Sequence, residues 1–167
     1  MTMRAPRLAA LCATLAALLC ACGDTTPQRP AVEVKRKDEL PKWLTPIDRV
    51  DPAYWLAARK NGGAPVAEAR VARLRAALEI GGAHFLESPR MLANRAGQLA
   101  DMLAEIGAAE DEAELIENLA RISAVTPNKQ TFGDLCQHYF NLRKQGATPE
   151  SALADLRERY GLQNRGQ

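Results

Sequence analysis

Thiols, long apolar runs and recognisable catalytic spacings are all scarce in this chain, and each scarcity removes an option. Three of the four cysteines fall at positions 12, 20 and 22, so Cys136 is the only thiol in the body of the chain. That body therefore has no intramolecular disulfide to draw on and must be held by its core. Only one apolar run is long, Leu8 to Ala21, broken by Thr14 alone. Its 14 residues fall short of a spanning helix, which needs roughly 20. No stretch alternates apolar and polar residues between turn signals, which argues against strands. Gly-rich phosphate loops, Cys/His metal spacings and Gly-x-Ser-x-Gly turns are also missing. No cofactor is expected.

What is present begins at the N-terminus. Arg4 and Arg7 precede the apolar run, no acid occurs before Asp24, and the chain turns polar directly afterwards. A positive region, a short apolar region and a sharp polar switch describe an export signal over residues 1–21. Its end, Leu19-Cys20-Ala21-Cys22, resembles the lipobox of bacterial lipoproteins, with Leu at −3 and small residues before the modified cysteine. Cys22 is then the acceptor; Cys20 as acceptor would put Leu18 and Leu19 where small side chains are required. Cys20 at −2, in place of the more usual Ala, Ser or Thr, departs from the pattern.

The resemblance implies that Cys22 carries a diacylglyceryl thioether and an acylated amine. Two or three chains hold a protein durably on a membrane, whereas one gives marginal binding. It further implies residence in the cell envelope. With Gly23 rather than Asp after Cys22, the periplasmic face of the outer membrane is the expected location.

Loss of residues 1–21 removes two arginines and no acid. The 22 Lys plus Arg become 20, against 20 Asp plus Glu, for a net charge near zero. Nothing in that balance asks for nucleic acid or an acidic substrate, nor for a chain lying flat on anionic lipid by net charge.

Residues 22–50 read as the lipidated cysteine and a flexible tether. Prolines stand at 27, 30, 41 and 46, and "EVKRKDEL" mixes charges without periodicity. Such a coil reaches about 30 Å. Within "PKWLTPI", Trp43, Leu44 and Ile47 are apolar enough to pack back onto the domain.

From 51 to 164 the pattern is helical, and one all-α domain follows: a compact bundle of five to six short helices. Pro52, Pro65, Pro89 and Pro149 suit first helical turns. Thr131 with Asp134 forms a capping-box pattern, and Gly107, Gly146 and Gly161 suit C-caps. Helices are predicted near 52–60, 66–80, 89–106, 110–124, 131–145 and 149–160. Leu92, Ala96, Leu99, Leu103 and Ile106 make one apolar stripe, as do Val71, Leu74 and Leu78. Phe132, Leu135, Cys136, Tyr139 and Phe140 make the widest face, which points to a central helix. Tyr54 and Trp55 are expected in the core.

Three constellations invite functional readings. Cys136 and His138 could form a nucleophile and base, but residues two apart on a helix face away from each other. Cys136 reads as a core thiol and His138 as a surface residue. "EIGGAHFLESP", residues 79–89, is irregular: Gly81-Gly82 should break or kink the helix. It could present His84 and Phe85 to a partner, or form a corner in which Phe85 and Leu86 plug the core, the better-supported reading. The run Glu110, Asp111, Glu112 and Glu114 crowds a helix start, where negative charge is favoured. It reads as a solvated helix start or an acidic docking patch.

These features point to a non-enzymatic, lipid-anchored module that binds an envelope protein partner in an accessory, pilotin-like or immunity role. The alternative is a small periplasmic enzyme acting on the cell wall. The discriminating feature would be a polar constellation converging from separate helices into a cleft, and the sequence shows only apolar helix faces with solvated charges.

Overall fold

Proline and an acceptor side chain start three of the helices. Asp51 accepts from the Ala53 N–H at 2.8 Å and Pro52 opens α1 (Pro52–Ala58). Ser88 and Pro89 do the same for α3 (Pro89–Glu105), and Thr148 and Pro149 for α6 (Pro149–Gln163). Pro fits there because the first helical N–H groups have no partner in their own helix. Between them lie α2 (Glu68–His84), α4 (Glu112–Ser123) and α5 (Phe132–Lys144).

A computed structural model describes residues 40–62 and 64–163 of this all-α bundle. The expected signal over 1–21, Cys22 and the tether as far as residue 39 lie outside the described residues.

α2 and α4 form the most extensive helix pair. α3 packs against α1, α2, α4 and α5, and α4 packs against α2, α3, α5 and α6. The middle of the bundle is thus α3 and α4 rather than the aromatic α5 that the sequence pattern favours. Apolar stripes decide this: α3 buries Leu92, Ala96, Leu99 and Leu103, whose small alanines admit neighbours on more than one side. Trp55, Leu74, Phe85, Leu115, Ile116, Phe132, Leu135 and Leu156 complete one continuous core.

Several local expectations are corrected. α2 continues unbroken through Gly81-Gly82 to His84. Gly81 is a packing residue: a Cβ there would sit 3.0 Å from Leu92 Cδ1 and 3.1 Å from Ile116 Cγ2. Pro65 precedes α2 by three residues instead of opening it, since Ala67 is the N-cap. Gly107 and Gly146 take the positive φ of a left-handed cap, 74° and 93°, but Gly161 lies inside α6. Trp55 is in the core as expected, whereas Tyr54 is 45% exposed. Leu44 packs back onto the domain, but its companions Trp43 and Ile47 do not.

Candidate functional site

The loop between α2 and α3 is one candidate for partner binding. Phe85 is 1% exposed and its ring lies 4.8 Å from that of Phe132, tilted by 54°. It therefore joins the core, as the corner reading holds, and offers no surface to a partner. Leu86, expected to plug the core beside it, is instead 67% exposed. The backbone explains the split. Phe85 and Gln130 form a parallel bridge, with the Leu86 N–H donating to the Gln130 carbonyl at 3.1 Å, so alternate side chains face opposite ways. His84 is half-buried, and its carbonyl accepts from Ser123 Oγ at 3.0 Å.

Glu87, which no sequence motif singles out, organises the same loop. Its two carboxylate oxygens accept from the N–H groups of Phe132 and Gly133 at 2.9 and 3.0 Å. The capping box expected from Thr131 is not made. The Thr131 hydroxyl turns to the Asp134 carboxylate and leaves the helix start to Glu87.

The acidic run is not a solvated helix start. Glu112 is buried and meets Arg70 at 2.6 Å and Lys60 at 3.6 Å. Arg70 spans Glu112 and Asp111, which also caps α4 through the N–H groups of Ala113 and Glu114. Glu110 is mostly covered: it accepts from the Tyr139 hydroxyl at 2.7 Å and the Arg143 Nε at 2.9 Å. Burial, with this carboxylate beside it, pushes the Tyr139 phenol up from its ordinary value. Glu114 alone stands largely in solvent, 3.3 Å from Arg73. Most of the acidic patch is thus committed to Arg and Lys partners from the turn after α1, from α2 and from α5. The hydrogen-bonded partners lie 29 to 42 residues away in sequence.

Polar groups do converge from separate helices, which the sequence did not show. Arg59 lies over the Trp55 ring at 5.5 Å and bonds to Asp101 and to the Gly97 carbonyl at 3.3 Å. A Cβ on Gly97 would come 3.1 Å from the Arg59 guanidinium, so the missing side chain makes room for it. Lys60 links Asp101 to Glu112, joining the two clusters. Each acid in them has a basic partner, an arrangement that fastens α1, α2, α3 and α4 together.

Cys136 is buried, and burial together with nearby Glu87 pushes its thiol well above its ordinary range. It lies beneath a small pocket bordered by Arg95, Gln98, Met102 and Gln137. His138 is exposed, on another face, with Nδ1 3.0 Å from the Tyr160 hydroxyl. The two do not meet as nucleophile and base. His138 instead lines a cleft of about 200 Å³ between α5 and α6, floored by Leu142 and Leu156.

Among the described residues, the open surfaces include that cleft and the turn at residues 42–49, where Trp43 and Ile47 stand outside the core. Among the described residues no group of His, Cys, Asp and Glu is placed to hold a metal, and no helix is long and apolar enough to cross a membrane. No curated protein and no solved structure matches the chain. The family model named MoxZ matches residues 53–161, from the first turn of α1 to the last turn of α6. That match takes in the whole helical bundle and well over half of the sequence, and the chain belongs to the MoxZ family.

Proposed function

We propose that this protein is a non-enzymatic accessory factor of a methanol-oxidation system, anchored by lipid in the cell envelope and acting through a protein partner. The observation that carries the accessory role is the MoxZ match over 53–161. The proposed anchor rests on the lipobox pattern ending at Cys22 behind an export signal. The polar clusters support a binding role over a hydrolytic one. Where carboxylates meet between helices, at Glu110 and at Glu112, each is matched by an Arg. A glycosidase pair would instead need two carboxyls across a cleft in unlike environments.

The test is recovery of partners from envelope membranes with the intact, acylated chain as bait. Methanol-oxidation components should co-purify, and loss of the chain should lower assembly or activity of that system. Recovery of the chain alone, with unchanged methanol oxidation in its absence, would sink the reading. Release of cell-wall fragments by the pure protein would favour the enzyme instead.

A further inference from the structure

The segment from Pro41 to Val50 is held tightly and yet displays apolar side chains. Leu44 is buried against α3. Its N–H donates to Asn94 Oδ1 at 2.9 Å, and its carbonyl accepts from Asn94 Nδ2 at 2.9 Å and Arg90 Nη1 at 3.0 Å. The Trp55 indole N–H donates to the Pro41 carbonyl at 2.7 Å. A turn follows, closed by the Asp48 N–H to the Thr45 carbonyl at 3.2 Å, with Pro46 at its second position. Asp48 Oδ2 also accepts from the Thr45 N–H and hydroxyl, at 2.7 and 2.6 Å.

At the tip of this pinned turn Ile47 is 87% exposed, and Trp43 is 42% exposed on the other side of Leu44. Lys42 and Arg49 flank them, are exposed, and make no salt bridge among the described residues. Poor packing does not account for these apolar groups, since the backbone that carries them is bonded on both sides of Leu44 and across the turn. Exposed apolar groups held in place mark a contact surface.

We infer that the turn seats the domain on a lipid surface, with Trp43 and Ile47 in the headgroup–acyl boundary and Lys42 and Arg49 beside the phosphates. Trp favours that boundary because its ring is apolar and its N–H polar, and the two cations can keep their charges in the headgroup layer. The inference rests on the proposed anchor. Trp43 lies 43 − 22 = 21 residues beyond Cys22, a separation that would average about 25 Å for the flexible tether expected from the sequence. An acylated Cys22 would thus keep the turn at the bilayer, where a second, weak contact is enough to orient the domain. Two side chains on a narrow turn offer too little area for a stable protein interface, which needs about 800 Å² from each partner. Local placement of the cations, rather than net charge, would supply the orientation.

The experiment uses the processed full chain extracted from its envelope and reconstituted in vesicles of phosphatidylethanolamine and phosphatidylglycerol with brominated acyl chains. The chain has only two tryptophans, so the difference between native protein and Trp43→Phe isolates the exposed one. Its emission should shift to the blue and be quenched, less so in Ile47→Ser and in vesicles without phosphatidylglycerol. Trp55 should be unaffected.

Incorporation of labelled fatty acid at Cys22 is read separately. A labelled chain whose Trp43 stays unquenched overturns the seat and leaves the anchor standing. Quenching in an unlabelled chain overturns the anchor and supports the seat. If Trp43 is unquenched and a photoreactive group at position 47 crosslinks to an envelope protein, the turn is a protein-docking site and the inference is wrong.

Discussion

Glu87 and Phe132, 45 residues apart, are joined at the point where α5 begins: a carboxylate oxygen of Glu87 accepts from the Phe132 N–H at 2.9 Å. The other oxygen takes the Gly133 N–H, so one side chain from the α2–α3 loop satisfies two helix-end donors. Negative charge there also suits the positive end of the helix. Loop and helix are therefore coupled. Glu87→Ala should cost about 1–2 kcal/mol, read as a lowered urea midpoint. Thr131→Ala should cost less, because the Thr131 hydroxyl bonds Asp134 and not the helix end. The opposite ranking would return the cap to Thr131.

The adjacent glycines in α2 should respond with opposite signs. A Cβ at Gly82 would have no neighbour within 4 Å, so Gly82→Ala should gain about 0.5–1 kcal/mol from helix propensity. At Gly81 the same gain meets Leu92 and Ile116 at 3.0 and 3.1 Å. Overpacking costs about 1–3 kcal/mol, so the net effect should be destabilising. Thermal melting of the two variants decides it. Equal shifts would mean that the α2–α3–α4 contact is looser than described.

Cys136 should resist a disulfide reagent in the folded protein and react after denaturation. Burial pushes its thiol up, and the thiolate is the reacting species. Cys136→Ala should lose little stability, at the low end of the roughly 0.5–5 kcal/mol scale of core truncations. Cys136→Asp should be far worse, since it buries an unpaired charge. Rapid labelling of native protein near neutral pH would contradict this placement.

Asp101 sets an acid-side dependence of stability. The hydrogen bond from Arg59, aided by Lys60, holds its carboxyl below the ordinary 3.8. A depressed folded pKa means stability present above the unfolded value and lost as pH falls through the folded one. Between neutral pH and about pH 5 its contribution should be flat, and below that it should decline progressively as pH falls through 3.8 and on through the lower folded value. Asp101→Asn should remove that decline. At neutral pH its cost should be modest, because the aspartate is 43% exposed and solvent screens the pair. An acid limb identical in variant and native protein would show that Asp101 does not contribute to it.

Helix number, most helix limits and the apolar stripes were legible in the sequence because they are local. Asp51-Pro52, Ser88-Pro89 and Thr148-Pro149 act within one turn, and a 3.6-residue period selects Leu92, Ala96, Leu99 and Leu103 without knowledge of what they face. Tertiary structure alone decided the rest. Gly81 looks like a helix breaker in the sequence because its reason, the approach of Leu92 and Ile116, comes from two other helices. Glu110 and Glu112 look solvated because Arg143 and Arg70 lie 33 and 42 residues away. Ile47 looks ready to pack, yet Asn94 and Arg90 pin Leu44 and leave Ile47 outside. A charge or an apolar side chain takes its meaning from the groups beside it in space, and chain separation hides those groups until the fold brings them together.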